Sequence, residues 1–205
     1  MGRTTHVVVV GAGVIGCSVA YELACRGARV QVIERRDVEQ SATQASAGVL
    51  APFIGAHEGS PLLDLGARGL ELYDEFVARA VEDSGSTVQY LRTGTLEVAM
   101  NDDALERLDA LGRTYAARGA SVECLDAERV REAEPQLSKR VRGGLLVAAH
   151  GFVGAADLTT ALRRAAGAHG VTFVTASAAV RIAAAAGGLC VETAGDRVDC
   201  GAIVL

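Results

Sequence analysis

The chain has 205 residues, of which 50% are hydrophobic and 22% charged, with a formal net charge of −5. That composition belongs to a globular protein with a core and excludes a disordered one. No apolar run approaches the about 18–20 residues of a membrane-spanning helix, and mild acidity without a basic stripe argues against nucleic acid as a partner.

The chain opens with a β-branched run, His6 to Val10, which reads as a buried parallel strand. Gly11 to Gly16 forms a glycine turn. A helix is expected from Val14 to Arg26, with Ile15, Val19, Leu23 and Ala24 on its inner face and Gly27 as its C-terminal stop. Arg29 to Glu34 is a second strand. Together these make a β-α-β unit, for which a right-handed crossover is the rule. Residues 35–60 read as a long loop of small and polar residues, and loops of this length usually carry function.

Ser60-Pro61 predicts a helix start, with the stripe Leu62, Leu65, Leu72, Phe76 and Val77 running to about Asp83. Strands are expected at Thr87–Leu91 and Thr95–Met100, separated by Thr93-Gly94. Asn101 caps a helix to about Arg118, which Gly119 ends. Asp126 caps a shorter helix that stops before Pro135. Gly144–Ala149 is strand-like, and a further helix runs from about Ala156 to His169. Strands follow at Val171–Val174 and Ala178–Ala184. Gly187-Gly188 predicts a hairpin into Leu189–Thr193, and Gly195-Asp196 leads into Arg197-Val198. The apolar ending Ala202-Ile203-Val204-Leu205 has no cap, turn or polar tail. It reads as a strand that needs neighbours, as in the N-terminal portion of a longer protein.

The chemistry is concentrated in Gly11-Ala12-Gly13-Val14-Ile15-Gly16, a G-x-G-x-x-G sequence. Its context gives it weight: a strand precedes it, it opens a helix, and Glu34 ends the next strand twenty-one positions after Gly13. Gly11 permits the tight turn, Gly13 admits a pyrophosphate to the backbone, and Gly16 lets helix and strand approach. The helix N-terminus offers N–H groups and a positive dipole end to phosphate. Glu34 can accept hydrogen bonds from both ribose hydroxyls, and its charge disfavours a 2′-phosphate. The small-residue stretch from Ser41 to Pro52 follows the second strand, where open α/β sheets place ligands.

Other side chains read as structural. The cysteines Cys17, Cys25, Cys124, Cys190 and Cys200 are odd in number and form no C-x-x-C pair, so reduced, mostly buried thiols are expected. His6, His57, His150 and His169 do not cluster at metal spacing. Asp102-Asp103 suits a helix start, Asp37 and Glu39 a surface. Arg129, Arg131, Lys139, Arg140 and Arg142 are interleaved with acids and read as a solvated face. No metal site and no nucleophile elbow is evident.

The glycine turn, Glu34-Arg35 and Thr43-Gln44-Ala45-Ser46-Ala47-Gly48-Val49 together resemble the FAD-dependent amine oxidases of the D-amino-acid oxidase superfamily, above all its glycine oxidase (thiamine-pathway) branch. Arg92-Thr93-Gly94-Thr95-Leu96, Glu134-Pro135, Gly151-Phe152-Val153 and Asp157-Leu158 agree with it. The resemblance implies a Rossmann-like FAD-binding domain from residues 1–50 and 150–205. Residues 51–149 would hold helical segments and part of an α+β substrate domain.

It also implies roles for individual residues. Val14 and Ile15 would meet the pyrophosphate through their backbone, Glu34 the adenosine ribose, and Arg35 the adenine. Ala42 and Thr43 would contact phosphate and ribitol, and Ala47, Gly48 and Val49 would lie along the isoalloxazine. The backbone of Val180 would pair with the adenine. Val49 stands where the glycine oxidase branch commonly has methionine. The substrate-anchoring arginine and tyrosine of the family fall beyond Leu205, just after a flavin-contacting turn, so no residue here is assigned as catalytic.

The implied activity is oxidation of a small amino acid or secondary amine by hydride transfer to flavin N5, giving an imine and, with oxygen, hydrogen peroxide. The setting is cytoplasmic, and homo-oligomerisation is left open. Three alternatives stand beside it: a dehydrogenase of the same fold passing electrons to a quinone or carrier, an NAD-dependent dehydrogenase, and an inactive cofactor-binding fragment.

Overall fold

A computed structural model describes residues 6–36, 42–54, 61–185 and 188–205. In chain order the elements are β1 (His6–Val10), α1 (Val14–Cys25), β2 (Arg29–Ile33), β3 (Val49–Leu50), α2 (Pro61–Ser84), β4 (Tyr90–Leu91), β5 (Thr95–Ala99), α3 (Asp102–Ala117), β6 (Val122–Asp126), α4 (Ala127–Ala133), β7 (Gly143–Val147), β8 (Gly151–Val153), α5 (Ala155–Ala168), β9 (Thr172–Val174), β10 (Ala179–Ala185), β11 (Gly188–Thr193), β12 (Arg197–Cys200) and β13 (Ala202–Val204). Two compact units emerge: Met1–Ala47 with Glu75–Gln89 and Gly154–Leu205, and Gly48–Asp74 with Tyr90–Val153.

The first unit is built on a parallel sheet of order β13-β1-β2-β9. Val7, Val8 and Val9 are all buried, as a strand covered on both faces requires. Helices α1 and α5 pack against each other. The buried face of α1 is Cys17, Ala20, Tyr21 and Ala24, and that of α5 includes Ala161, Ala165 and Ala166. Small residues on both sides let the axes approach. An antiparallel sheet of order β10-β11-β12 packs on the parallel one through Val8, Ile33, Val191 and Cys200.

Residues 75–89 belong with this unit, although the sequence reading grouped them with the middle of the chain. Named contacts hold them there. Arg79 pairs with Glu22, Tyr21 donates its hydroxyl to Asp83 at 2.6 Å, and the Gly154 N–H reaches the Gln89 carbonyl at 2.7 Å.

The second unit contains two antiparallel sheets, β3-β8-β4 and β5-β7-β6. Phe53, Leu63, Leu70, Leu108, Tyr115 and Leu145 form its core. His150 is wholly buried in it. The Phe53 N–H donates to His150 Nε2 at 3.4 Å, which places the ring proton on Nδ1, 2.6 Å from Thr95 Oγ1. Burial first, and then the Arg92 charge, push the imidazole down from 6.5 to about 4. The unfolded chain therefore binds a proton near 6.5 that the folded chain refuses until about 4. This contribution to stability is complete above 6.5 and is lost as pH falls through that window, with a slope approaching about 1.4 kcal/mol per pH unit. Urea midpoints measured from pH 7.5 to 4 should fall more steeply for the parent than for His150→Gln. Parallel curves would remove His150 from the acid response.

Several sequence expectations are corrected in phase. Ile15 is 77% exposed rather than inside, because α1 meets its neighbours through the Cys17–Ala20–Tyr21–Ala24 face. On α2, Leu62, Leu65 and Leu72 are exposed, and Leu63, Leu70, Val77 and Ala80 are buried. Val77 is buried as expected, and the N-terminal part of the stripe falls on Leu63 and Leu70 instead of Leu62, Leu65 and Leu72. Strands β6 and β8 were not anticipated, and the strand expected from Thr87 is only Tyr90–Leu91. Asn101 caps α3 through the Ala104 N–H, and Asp126 caps α4 through Glu128 and Arg129, as their types predict. Ser60, Asp37, Glu39, His57 and the tip of the Gly187-Gly188 hairpin lie outside the described residues. All five cysteines are free, with Cys17, Cys190 and Cys200 buried and Cys25 and Cys124 exposed.

Candidate functional site

The glycine turn sits at the carboxyl end of β1. The Gly11 N–H donates to the Ile33 carbonyl at 2.8 Å, carrying the β1–β2 pairing one residue into the turn. Gly11 then adopts a φ of +107°, which a side chain would resist. Gly13 is the N-cap of α1, but it has no side chain to cap with. Helix geometry leaves the first-turn N–H groups without partners inside the helix, and the Cys17 N–H makes the first return bond to Gly13. A Cβ on Gly16 would lie 2.0 Å from the Gly11 carbonyl oxygen, so this close approach of helix and turn needs glycine.

Two side chains shape the turn from elsewhere in the sequence. Glu34 Oε2 accepts the Ala12 N–H at 2.7 Å, and Oε1 accepts the Arg36 N–H at 3.0 Å. The main chain of Glu34 is itself anchored between the Val174 carbonyl and the Ser177 N–H, both at 2.9 Å. Each carboxylate oxygen keeps a further lone pair for a ligand hydroxyl. Thr43 Oγ1 accepts the Val14 N–H at 3.2 Å, standing in for the missing N-cap side chain. Beneath the turn, the buried Cys17 thiol donates to the Ala12 carbonyl, and burial pushes its pKa up to about 11. It is a packing group, not a nucleophile.

A cavity of about 470 Å³ opens over this turn. Gly11, Gly13, Val14, Ile15 and Gly16 line it with Ala42 and Thr43 from the small-residue segment. Ser46 of the same segment lines it too, and Val204 and Leu205, which carry no local ligand signal, complete the lining. Val204 arrives because β13 pairs with β1, a long-range contact that no local pattern announces. The cavity lies at the carboxyl ends of adjacent parallel strands and the N-terminus of the helix between them, the usual ligand position in such sheets.

The remaining expected residues take other positions. Glu34 borders the turn through Ala12, and Arg35 is exposed beside it. Ala47 closes the first stretch of the first unit, whereas Gly48 and Val49 open the second, where the Val153 N–H donates to the Gly48 carbonyl. Val180 lies in a bulge between the Ala179–Thr193 and Arg181–Glu192 pairs, on the edge strand β10. Such a bulge turns a backbone away from its ladder.

The residues fit a dinucleotide by the chemistry of their donors: helix N–H groups for pyrophosphate, a carboxylate for ribose, and glycines where a Cβ would fill the cradle. Thr43→Val keeps the shape of the side chain and removes the acceptor for Val14. A loss of about 1 kcal/mol in stability is expected, with a roughly fivefold weaker hold on a nucleotide. Thermal melts and nucleotide titration of the variant check this; unchanged values would make the Thr43–Val14 bond incidental.

Comparison with known proteins places this geometry. The family model described as DAO, FAD dependent oxidoreductase, matches residues 6–205. Glycerol 3-phosphate dehydrogenase of Caloramator mitchellensis is 32% identical over 178 residues, covering 86% of this chain and 36% of that protein. Glycine oxidase of Geobacillus kaustophilus (strain HTA426) is 26% identical over 206 residues, covering 100% of this chain and 55% of that protein. The crystal structure of glycine oxidase from Geobacillus kaustophilus superposes with a TM-score of 0.88 at 26% identity, over 98% of this chain and 55% of that one. Glycine oxidase from Bacillus cereus ATCC 14579 gives 0.86 at 28% identity, over 97% and 54%. The chain thus spans between 36% and 55% of the length of these relatives. Among the described residues, no helix is long and apolar enough to cross a membrane.

Proposed function

The chain belongs to the DAO family of FAD-dependent oxidoreductases, and on that premise we propose that its first unit holds FAD along β1, α1 and β2 and that the protein oxidises a small amino acid or secondary amine. The observation that supports the cofactor site best is the cavity over the glycine turn, with its donors and its acceptor already held in place. In this reading the N–H of Ile15, with that of Val14 shared with Thr43, meets the pyrophosphate, and Glu34 accepts from the ribose hydroxyls. Arg35 lies beside the adenine, whose edge the backbone of Val180 meets. Ala42 and Thr43 close the phosphate and ribitol side. When bound, FAD would supply a two-electron acceptor for oxidation of the substrate amine to an imine, with oxygen as the final oxidant giving hydrogen peroxide. The residues of this chain bind and orient; none is asked to move a proton.

The first experiment adds FAD to the purified chain, removes the excess, records the visible spectrum and identifies the nucleotide released on denaturation. Retained FAD is expected. Retention of NAD instead would overturn the cofactor assignment. The substrate is tested by anaerobic bleaching of the bound flavin with glycine, sarcosine and D-alanine, and with glycerol 3-phosphate because one relative is named for it. Bleaching by an amine followed by peroxide on aeration supports an oxidase. Bleaching without peroxide points to a dehydrogenase using another acceptor. Bleaching by glycerol 3-phosphate alone would overturn the amine.

A further inference from the structure

Away from the glycine turn, the C-terminal ends of three helices of the first unit meet. Cys25 is the last residue of α1, Asp83 is next to last in α2, and His169 is the C-cap of α5. One ligand atom from each – the thiol sulfur, a carboxylate oxygen and an imidazole nitrogen – lies within 4.8 Å of the other two. His169 Nε2 is 2.8 Å from Asp83 Oδ2. Tyr21, one turn before Cys25 and fully buried, donates to the same oxygen at 2.6 Å and packs edge-on against the His169 ring at 5.8 Å. The carboxylate and the imidazole are therefore held in place by a rigid phenol, and the exposed Cys25 thiol lies beside the same phenol.

The charge of the place favours a cation. Helix C-termini are the negative ends of their dipoles, and none of these three carries a basic residue in its last turn. The nearby cations are already engaged. Arg79 pairs with Glu22 and stacks over Tyr21 at 5.5 Å, and Arg26 pairs with Glu22 as well. Hydrogen bonds from Tyr21 and then His169 hold the Asp83 carboxyl below the usual range, so it is an anion at neutral pH.

We propose that Cys25, Asp83 and His169 bind a thiophilic divalent cation such as Zn²⁺, with water as the fourth ligand, and that the ion ties the ends of α1, α2 and α5 together. Zinc bonds of about 2.0–2.3 Å in a tetrahedron set ligand atoms roughly 3.3–3.7 Å apart. The Asp83–His169 pair, at 2.8 Å, is closer than that and opens by roughly 0.5 Å to admit the ion, and a rotation of the Cys25 side chain brings in the third ligand. On binding, Cys25 releases its thiol proton to solvent, and His169 gives up the Nε2 proton it donates to Asp83 and takes the tautomer with its proton on Nδ1, which frees the Nε2 lone pair for the ion. Thiolate and carboxylate then balance the two charges of the ion. Sulfur and nitrogen ligands select zinc over magnesium or calcium. This inference is independent of the flavin reading.

The test uses the full chain, flavin-loaded, with Co²⁺ as a spectroscopic probe read against a metal-free blank. The expected result is a thiolate-to-cobalt charge-transfer band that saturates at one equivalent and disappears on adding Zn²⁺. Zn²⁺ at a hundredfold excess over its Kd should raise the melting temperature by about 5 °C or more, and Mg²⁺ should not. Cys25→Ser should abolish the band, His169→Gln should weaken cobalt binding at least tenfold, and Cys124→Ser, at the other exposed cysteine, should leave both unchanged. Melts in chelator confirm that each variant is folded. Absence of the band in the parent chain, or its survival in Cys25→Ser, overturns the proposal and leaves a hydrogen-bonded helix clamp.

Discussion

Replacing Gly16 with alanine is expected to lower the stability of the chain by about 3 kcal/mol or more, a fall of roughly 10 °C in melting temperature. The added Cβ would stand 2.0 Å from the Gly11 carbonyl oxygen and 3.5 Å from a methyl of Val9. The nearest obstacle is backbone, which cannot rotate aside as a side chain would. Relief requires α1 to lift from the turn. Lifting would pull on the bond from the Gly11 N–H to the Ile33 carbonyl, on the Glu34 bond to Ala12 and on the Thr43 bond to Val14. FAD retention should drop with stability, because the same N–H groups are displaced. Gly167→Ala is the control, since a Cβ there meets nothing within 4 Å. A Gly16→Ala chain that melts with its parent would mean that the turn has room the geometry denies it.

Glu34→Ala should weaken FAD binding by roughly 10- to 100-fold, the range of one or two charge-assisted hydrogen bonds. Two effects add. The ribose loses its acceptor, and Ala12 and Arg36 lose the carboxylate that holds their N–H groups. Glu34→Gln separates them. An amide has one oxygen, so it can satisfy either Ala12 or Arg36, but it turns an NH₂ toward the other. It should therefore fall between parent and alanine in affinity. Flavin fluorescence titration measures all three, and equal affinities would remove Glu34 from the site.

What could be read from the sequence follows physical range. The β1-α1-β2 unit was legible because the valine run, the glycine spacing and the acid at Glu34 are local signals that agree. Helix caps at Asn101 and Asp126 were legible for the same reason. The inner face of α2 was not. Leu62 and Leu63 are adjacent and both apolar, so periodicity alone could not fix the phase, and packing chose Leu63, Leu70 and Val77. Strand β6 alternates valine, glutamate, cysteine, leucine and aspartate over five residues, too short and mixed to stand out, and it exists because β7 pairs with it. In the candidate site, Thr43 was placed near the phosphate, but its bond to Val14 spans twenty-nine positions and is a tertiary fact. His150 gave no sign of its burial, since its ring partners Thr95 and Phe53 lie 55 and 97 positions away.

The order of the parallel sheet has a consequence for how the protein is made. Strand β1 is synthesised before both its neighbours, β2 and β13, and β13 is residues 202–204. A nascent chain can pair β1 with β2 early, but one flank of β1 stays bare until residues 202–204 have been translated. Val204 also lines the cavity over the glycine turn. The cavity over the turn thus waits for a strand far downstream of the glycine motif that lines it. Folding of this unit should be slow and strongly non-local, with an exposed valine edge that invites chaperones in the interval.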